Sequence, residues 1–501
     1  MADNLEEDKP LHIVMACSEA HPYAKTGGLA DVAFSLPAAL AKRGHKVSVF
    51  MPFYNQKMAP LNLRFATRYE MLPVPLGDRT EWAQILEHKL DKNLSFYFIE
   101  FNVFFDRPGL YDWNSIEYSD NAKRFIFFSR ACMEAIKVLR MEPDILHTHD
   151  WHTSLCNVYL KSHLYKNEPA FKKCKSVLTI HNIGYQGVYH KSNLFWTQLG
   201  WDYFNFTCLE FHDQINLLKG GILNADMVNT VSPTYAEEIL SPSYAFNLEG
   251  ALQHRAARGH LRGIINGIDI NIWNPERDSL IPTHFSWVSL AGKFECKAAL
   301  QKQFGLPERK DVPLLGSLSR LAYQKGFDVY IESLEELLKK DDIQVIVIGS
   351  GEQYLHYKLD SLCIRYPKKC KVYIGYCNDQ LAHMLESGSD FFVMPSRYEP
   401  CGLNQMYSMR YGTLPIVRAT GGLEDTVINY DPEKPRECTG FKFWELYPKA
   451  LINTIRWAID VYNKEPDHID AMRRSAMRKD FSWNHTAALY EALYNDADRE
   501  F

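Results

Sequence analysis

The chain has 501 residues and a formal net charge of −5, so it is too long for one hydrophobic core and lacks the basic excess that favours binding to nucleic acids or anionic membranes. Its 46% apolar and 23% charged residues are typical of a soluble protein with two or more domains. The 11 cysteines form no C-x-x-C pair, and no stretch approaches 18 uninterrupted apolar residues. Because the first residues lack a signal-peptide pattern, we expect a cytoplasmic protein without a membrane span.

Apolar runs and amphipathic periodicity predict alternating strands and helices in the first half of the chain. We expect strands at 11–16, 46–50, 144–147, 176–180 and 227–230, and strands with turns over 60–105. Helices are expected at 30–43 (despite Pro37), 121–139, 154–165 and 232–239.

The second half of the chain has a plainer alternation. Strands are predicted at 314–318, 344–348, 371–374, 390–394 and 414–417, and helices at 328–340, 354–366, 380–386 and 404–411. This order indicates mostly parallel sheets with right-handed crossovers. We therefore predict an α/β protein with two doubly wound domains that face one another across a cleft, where the strand ends bind a ligand.

The segment SRYEPCGL, residues 396–403, joins a predicted strand to a predicted helix. It places Glu399 in the turn, and the backbone N–H groups from Cys401 to Asn404 at the helix start. A carboxylate suits hydroxyl groups and the N–H groups suit an anion, and a sugar nucleotide presents both. The alternative on local grounds is a capped helix start with a solvated glutamate.

Two further turns bring cations to strand ends. The first is KTGGL, in which Lys25 precedes Gly27 and Gly28, so that the backbone can approach a phosphate closely. The second is SRLAYQKG, which places Arg320 and Lys325 at the sheet edge that also holds Glu399. A simple strand–helix turn and ordinary surface charge are the respective alternatives.

Histidines follow two strands of the first half, in HTHDWH and HNIGYQG. His147 and His149 share a face if the strand continues, which would suit zinc, but no paired cysteines or H-E-x-x-H motif accompany them. Asp150 and His152, like His181 and Asn182, are placed to bind hydroxyl groups. Structural histidines are the alternative.

Together these turns favour group transfer from a phosphate-bearing donor. A diphosphate leaving group is already charged and needs electrostatic stabilisation more than protonation. A glycoside hydrolase would need two opposed carboxylates, and the sequence offers no convincing second one. Since Arg320 and Lys325 can balance the diphosphate, we predict neither a metal ion nor a cofactor.

The motifs KTGGLADV, HTHDWH, HNIGYQG, VSPTYAEEI, INGID, SRLAYQKG, SRYEPCGLNQMY, YGTLPIV and TGGLEDTV, in this order, resemble the bacterial glycogen synthase and plant starch synthase family nearly end to end. The resemblance implies a GT-B fold of two Rossmann-like domains. It implies an acceptor-side domain over 1–261, a nucleotide-sugar domain over 262–481, and a helix over 482–501 that crosses back to the first domain.

The resemblance also implies roles for individual residues. Those expected to act on the reacting sugar and the leaving diphosphate are His181, Glu399, Arg320, Lys325 and Asp150. Those expected to bind the nucleotide or another substrate group are Lys25, Gly27, Gly28, Tyr111, Asn182, Asn266, Tyr376, Cys401, Gly402 and Leu403. Two positions depart from the pattern: Tyr407 stands where the broader retaining class often has a second glutamate, and Asn404 where bacterial members often have threonine.

The implied enzyme is a glycosyltransferase that moves glucose, with retention of configuration, from the co-substrate ADP-glucose to the non-reducing end of an α-1,4-glucan such as glycogen or a maltooligosaccharide. A UDP-glucose-dependent retaining transferase of the same fold is one alternative. A non-catalytic glucan-binding homologue is another. A nicotinamide dehydrogenase is disfavoured because no strand is followed by G-x-G-x-x-G.

Overall fold

The computed structural model describes residues 9–114, 116–375 and 377–498, which form two compact units. The first unit comprises the described residues up to Val231, the segment Ala236–Gly267 and the described residues from Trp483 onwards. The second comprises Ser232–Tyr235 and Ile268–Ser482. Both units are α/β, as predicted. No described helix is long and apolar enough to cross a membrane.

The strands of the first unit centre on a nine-stranded sheet. In chain order they are β1 His12–Ala16, β2 Lys46–Pro52, β3 Ala66–Leu76, β4 Arg79–Lys89, β5 Leu94–Glu100, β6 Asp112–Trp113, β7 Ile116–Glu117, β8 Ile145–His149, β9 Lys175–Ile180, β10 Val188–His190, β11 Glu210–Phe211, β12 Gln214–Asn216, β13 Met227–Thr230 and β14 Leu261–Gly263. The order in the large sheet is β14-β13-β9-β8-β1-β2-β5-β4-β3, and within the described residues its antiparallel pairs are β3 with β4 and β4 with β5.

The helices of the first half connect these strands. They are α1 Gly28–Lys42, α2 Asn55–Met58, α3 Asn102–Phe105, α4 Asn121–Val138, α5 Asp150–Lys161, α6 Leu194–Thr197, α7 Leu217–Asn224, α8 Pro233–Glu238, α9 Pro242–Ala245 and α10 Glu249–Ala256. Ser232 caps α8, because its hydroxyl accepts from the backbone N–H of Tyr235 at 2.9 Å.

The second unit contains a six-stranded, wholly parallel sheet of order β17-β16-β15-β18-β19-β20. Its strands are β15 Leu314–Leu318, β16 Gln344–Gly349, β17 Cys370–Ile374, β18 Phe391–Met394, β19 Leu414–Arg418 and β20 Phe441–Phe443. Its helices are α11 Ala291–Gln303, α12 Phe327–Lys340, α13 Gln353–Arg365, α14 Asp379–Gly388, α15 Asn404–Arg410, α16 Gly421–Thr426, α17 Pro448–Lys464 and α18 Pro466–Arg478.

Burial explains why the sequence pattern located these elements. Every residue of β16 is buried, as expected for a parallel strand with both faces covered, and its sequence is the continuous apolar run that predicted it. Helix α12 instead buries Tyr330, Leu334, Leu337 and Leu338 on one face, at the three- and four-residue spacing of an amphipathic helix.

The last helix, α19 Trp483–Asp498, belongs to the first unit. Its Glu491 accepts two hydrogen bonds from the Arg43 guanidinium, both at 2.7 Å, and lies 2.9 Å from the His45 ring. Its Tyr494 hydroxyl shares a hydrogen bond with His147 Nδ1 at 2.9 Å. Both contacts tie α19 to the nine-stranded sheet and the helix α1 beside it.

Both limits of one predicted helix were wrong by about four residues. The helix expected over 154–165 begins at Asp150 and ends at Lys161, because β8 continues to His149 and the chain turns directly into α5. Asp150 makes this turn with φ at 54°, a left-handed value that is uncommon for a non-glycine residue. Asp150 and His152 are therefore helical residues rather than members of a strand-end loop. Among the described helices of six residues or more, α7, α10, α11, α16, α17 and α18 had no counterpart in the prediction.

Candidate functional site

In the sheet of the second unit, the order in which successive strands are added reverses between β15 and β18. On one side the sheet order runs β15, β16, β17 and on the other β18, β19, β20, so these two neighbours form a topological switch point. In open α/β sheets, ligands bind beside the carboxyl ends of the strands at such a point. The loop after β15 contains Arg320 and Lys325, and the loop after β18 contains Ser396 and Glu399.

Lys325 and Glu399 meet at this switch point although they are 74 positions apart in the chain. The Lys325 ammonium donates to both carboxylate oxygens of Glu399, at 2.9 and 2.6 Å, and Ser396 Oγ donates to Oε2 at 2.9 Å. The carboxylate is nearly buried, whereas the lysine side chain keeps 18% of its surface exposed. The arrangement combines a fixed acceptor with a cation that solvent or a ligand can reach.

Gly326 allows the Lys325 loop to approach the strand β18. Its φ is +69°, and a Cβ atom at this position would overlap the carbonyl oxygen of Pro395. Only glycine satisfies both the left-handed backbone and the close approach. The neighbouring backbone is also fixed, because the N–H of Arg397 donates to the carbonyl of Gln324 at 2.8 Å.

We expect Gly326→Ala to destabilise the protein and to displace Lys325. Gly305→Ala is the matched control, because Gly305 has φ at +65° but no atom within 4 Å of an added Cβ. The left-handed backbone alone should cost the control about 1 kcal/mol. The Gly326 variant should lose more, since the Pro395 carbonyl must also move. Equal melting temperatures for the two variants would contradict this account of the loop.

The other cation of this edge, Arg320, is exposed, and its guanidinium lies 3.4 Å from Gln324 Oε1. Arg397, by contrast, forms a bidentate ion pair with Asp328, with both N–O distances at 2.7 Å. Its guanidinium carbon lies 3.5 Å from the centre of the Tyr323 ring. Arg320 is therefore the exposed cation of these two loops, whereas Lys325 and Arg397 are each paired with a carboxylate.

Backbone donors follow Glu399 where the chain enters α15. Gly402 adopts φ at +71°, and neither its N–H nor that of Leu403 donates to another residue within the described chain. The Cys401 side chain is buried, and its carbonyl accepts from Gln405 Nε2 at 3.0 Å. The Asn404 amide donates to the carbonyl of Leu318 at 2.6 Å, so the turn after β18 is bonded to the end of β15.

Tyr407, the first departure from the family pattern, stacks on Trp273 with ring centres 3.8 Å apart. Trp273 in turn stacks on His383 at 4.0 Å, and His383 shares a hydrogen bond of 2.6 Å with Asp278. The side chain at position 407 therefore contributes to an aromatic stack rather than a second carboxylate.

The nine-stranded sheet of the first unit has its own switch point, between β1 and β8. After β1, Glu19 is buried and accepts from the backbone N–H of Thr26 at 2.6 Å and from the Thr26 hydroxyl at 2.7 Å. Burial raises the pKa of Glu19 to about 7, an effect that the bonds from Thr26 and Gly27 oppose. Glu19 thus fixes the turn that contains Gly27 and Gly28, a role that the sequence motif alone did not reveal.

Around that turn, Lys25 donates to both oxygens of Asp31 at 2.7 and 2.8 Å, and the lysine remains half exposed. Gly27 caps α1 with an extended backbone, and Gly28 begins the helix. The Tyr111 hydroxyl lies 2.6 Å from Ser18 Oγ in the loop after β1, so it also belongs to this edge of the sheet.

After β8, Asp150 is buried and organises the turn that follows β9. Its Oδ1 accepts from the backbone N–H of His181 at 2.7 Å. Burial raises the pKa of Asp150 to about 7, against the effect of the His181 and Asn182 N–H groups. Asn182 Oδ1 accepts from the N–H of Gly184 at 2.9 Å, which tightens the same turn.

The raised pKa of Asp150 has a consequence for stability. Between about pH 4 and pH 7 the folded protein holds a proton that the unfolded chain has released, so the free energy of unfolding falls as pH rises, by at most about 1.4 kcal/mol per unit. Asp150→Asn cannot ionise but can still accept from His181. Denaturant unfolding at about pH 5 and about pH 8 should therefore show a smaller fall for the variant. The same pH dependence in both proteins would contradict the assignment.

His181 is held as a neutral imidazole. Burial lowers its pKa to about 3, and its Nε2 lies 3.0 Å from His149 Nδ1. His147 is structural: its two ring nitrogens share hydrogen bonds with Tyr494 and Thr179, at 2.9 and 2.6 Å. His147 and His149 do share a face, with ring centres 4.3 Å apart, but the described residues include no cluster of three His, Cys, Asp or Glu side chains arranged for a metal ion.

Three further residues, Asn266, His152 and Tyr376, were also predicted to bind a substrate group. Asn266 follows β14 and is buried, and its Oδ1 has no hydrogen-bond partner within the described parts of the chain. The His152 ring packs between Trp151, at 4.1 Å, and Tyr111, at 4.6 Å, and its Nδ1 has no hydrogen-bond partner among the described residues. Tyr376 lies outside the described residues.

Two family models match the chain: the starch synthase catalytic domain over residues 12–254 and the glycosyl transferases group 1 over residues 300–474. A glycogen synthase 1 of Geobacter sulfurreducens is 44% identical, with 98% of this chain and 97% of that protein covered. A glycogen synthase of Koribacter versatilis is 45% identical, with 97% and 98% covered. The catalytic domain of Arabidopsis thaliana starch synthase IV, solved with ADP and acarbose, is 30% identical and superimposes with a TM-score of 0.88 over 98% of this chain and all of that one.

The two parallel-sheet units, their switch-point loops and these matches define a glycosyltransferase of the GT-B fold. The chain belongs to the glycogen synthase and starch synthase family.

Proposed function

We propose that this glycosyltransferase moves glucose from ADP-glucose to the 4-hydroxyl at the non-reducing end of an α-1,4-glucan, with retention of configuration. The observation that supports this most is the bonded pair of Lys325 and Glu399 at the switch point of the second sheet. One side chain suits the leaving diphosphate and the other suits the hydroxyl groups of the donor sugar.

The charge that develops on the diphosphate is balanced by Arg320 and Lys325. A preorganised donor aimed at such a charge contributes roughly 3–4 kcal/mol to lowering the barrier. The N–H groups of Gly402 and Leu403 provide further donors beside it. Because these groups already supply positive charge and hydrogen bonds, we propose that the reaction requires neither a metal ion nor a cofactor.

In the first unit, we propose that the Lys25, Gly27 and Gly28 turn approaches the donor phosphates, and that the turn at His181 approaches the reacting carbon. The low pKa of His181 makes its ring a poor proton donor near neutral pH. Its contribution is therefore positional, and Asp150 holds its backbone in place through the 2.7 Å hydrogen bond. Asp150, Asn182, Tyr111 and Asn266 would meet sugar hydroxyl groups.

The choice of donor rests on relatives. The starch synthase IV structure contains ADP and acarbose, which supports an adenine nucleotide and a glucan-like acceptor for this chain. We expect Tyr376 to stack on the adenine, as the family resemblance implies.

Nucleotide release tests the proposal directly. The enzyme is incubated with a maltooligosaccharide and either ADP-glucose or UDP-glucose, and released nucleotide and product length are measured together. We expect ADP release with elongation of the oligosaccharide. Turnover of UDP-glucose alone would overturn the donor assignment, and binding of glucan without release from either donor would favour a non-catalytic protein.

A further inference from the structure

A basic cavity of about 380 Å³ lies at the amino end of the nine-stranded sheet, opposite to the strand ends that hold Glu19 and Asp150. It is lined by the first residues of β1 and β2, His12 and Lys46, by Arg68 of β3, and by the residues that follow α4, including Arg140 and Glu142. Its volume is within the range of small-molecule sites in proteins.

The cavity has more cations than anions. Lys46 and Arg140 make no ion pair or side-chain hydrogen bond with any other described residue. Arg68 pairs with Glu87 at 3.1 Å but keeps 51% of its side chain exposed. Against these three cations the lining offers one carboxylate, Glu142. Even when Glu87 is counted against Arg68, one positive charge remains uncompensated.

His12 adds a hydrogen-bonding group without adding charge. Burial and the neighbouring Lys46 lower its pKa to about 4, so the ring is neutral at neutral pH. Its Nε2 lies 3.1 Å from Ser48 Oγ, and its backbone N–H donates to Asp144 at 2.7 Å. Asp144 also pairs with Lys173 at 2.9 Å, and so does not neutralise Lys46 or Arg140.

Two of the cations occupy unusual backbone positions. Arg140 has φ at +51°, at the position after the end of α4 where glycine is favoured, with the N–H of Met141 bonded to the carbonyl of Ile136. Arg68 lies where the pairing of β3 and β4 shifts register between Thr67 and Tyr69. The β-bulge turns the Arg68 side chain away from its regular direction along the strand, towards the cavity. The left-handed backbone of Arg140 is strained for a residue with a Cβ atom, and it also brings a guanidinium to the cavity.

We propose that this cavity is a second ligand site, which binds the phosphate group of a small phosphorylated metabolite. Lys46, Arg68 and Arg140 would supply the charged donors, since guanidinium groups form paired hydrogen bonds with phosphate oxygens and the ammonium acts as a point charge. The site lies wholly within the first unit and uses none of the residues assigned to glucosyl transfer.

Calorimetric titration of the full chain tests the proposal. Inorganic phosphate and a hexose monophosphate are the probes, each added with saturating ADP so that the proposed nucleotide site is occupied. We expect one equivalent of probe to bind, and tighter binding of the hexose monophosphate would identify a sugar phosphate rather than the free ion as the ligand. Failure of ADP itself to bind would count against the proposed function and leave the probe titrations interpretable on their own.

Two variants make the test specific. Lys46→Gln and Arg140→Gly should each weaken probe binding about tenfold or more, while Arg140→Gly should unfold at the same or a higher temperature because glycine suits its backbone. Lys57→Gln, an exposed lysine in the helix α2 that follows β2, is the matched control and should bind as the wild type does. Absence of binding to the wild type, or unchanged binding by the double variant Lys46→Gln, Arg140→Gly, would overturn the proposal.

Discussion

Lys325→Ala is expected to lower kcat by about 10²–10³, the loss measured when one preorganised donor to a developing charge is removed. Two effects combine in this variant. The leaving diphosphate loses a cation, and the nearly buried Glu399 carboxylate loses the partner that lies 2.6 and 2.9 Å away. Both effects act on the transition state, so kcat should fall more than substrate affinity.

The measurement is steady-state ADP release with ADP-glucose and a maltooligosaccharide. Lys339→Ala is the control, because Lys339 is an exposed lysine near the end of α12 in the same unit and is assigned no role in the site. The melting temperature shows whether each variant is folded. A folded Lys325→Ala enzyme with near-wild-type turnover would remove Lys325 from the catalytic account.

Glu399→Gln is expected to lower kcat/KM by about 10² or more, because a site built to hydrogen-bond hydroxyl groups is sensitive to the loss of a charged acceptor. The amide is nearly the same size as the carboxylate, so the turn after β18 should keep its shape. In the glutamine, however, one carboxylate oxygen is replaced by an NH₂ group, which is a donor and can no longer accept a hydrogen bond from Lys325 or Ser396. The variant should therefore lose both the sugar contact and the fixed position of Lys325.

Glu433→Gln, an exposed carboxylate in the same unit, provides the matched control and should retain activity. A double-mutant cycle with Lys325→Ala then measures whether the two residues act together. We expect the double variant to be little worse than the worse single variant, since each change already disrupts the pair. Full additivity, or wild-type activity of folded Glu399→Gln, would contradict a shared role.

The sequence predicted the part of the candidate site that lies at the carboxyl ends of parallel strands. Continuous apolar runs located β15 and β18, and parallel order places their carboxyl ends at one edge, which is why Lys325 and Glu399 could be grouped although they are 74 positions apart. Gly326 and Gly402 lie in the predicted turns after these strands, and both adopt left-handed backbone conformations there.

The parts that were not predicted depend on tertiary contacts. Helix α5 begins at Asp150 rather than at 154 because the left-handed turn is stabilised by a hydrogen bond from His181, 31 positions away. His147 bonds to Tyr494, 347 positions away, so its structural role could not be read from the motif that contains it. Glu19 acquires its role through burial against the Thr26 turn, and no spacing in the sequence indicates that contact.

The most direct test of the central claim is a time course of proton NMR spectra of the enzyme with ADP-glucose and maltotetraose. The spectra report the donor anomeric proton and the newly formed glucosidic linkage in one experiment. We predict that ADP-glucose disappears as α-1,4 linkages appear at the non-reducing end, at equal rates. Hydrolysis of ADP-glucose to free glucose, or formation of a product with a β linkage, would contradict the account of a retaining glucosyl transfer.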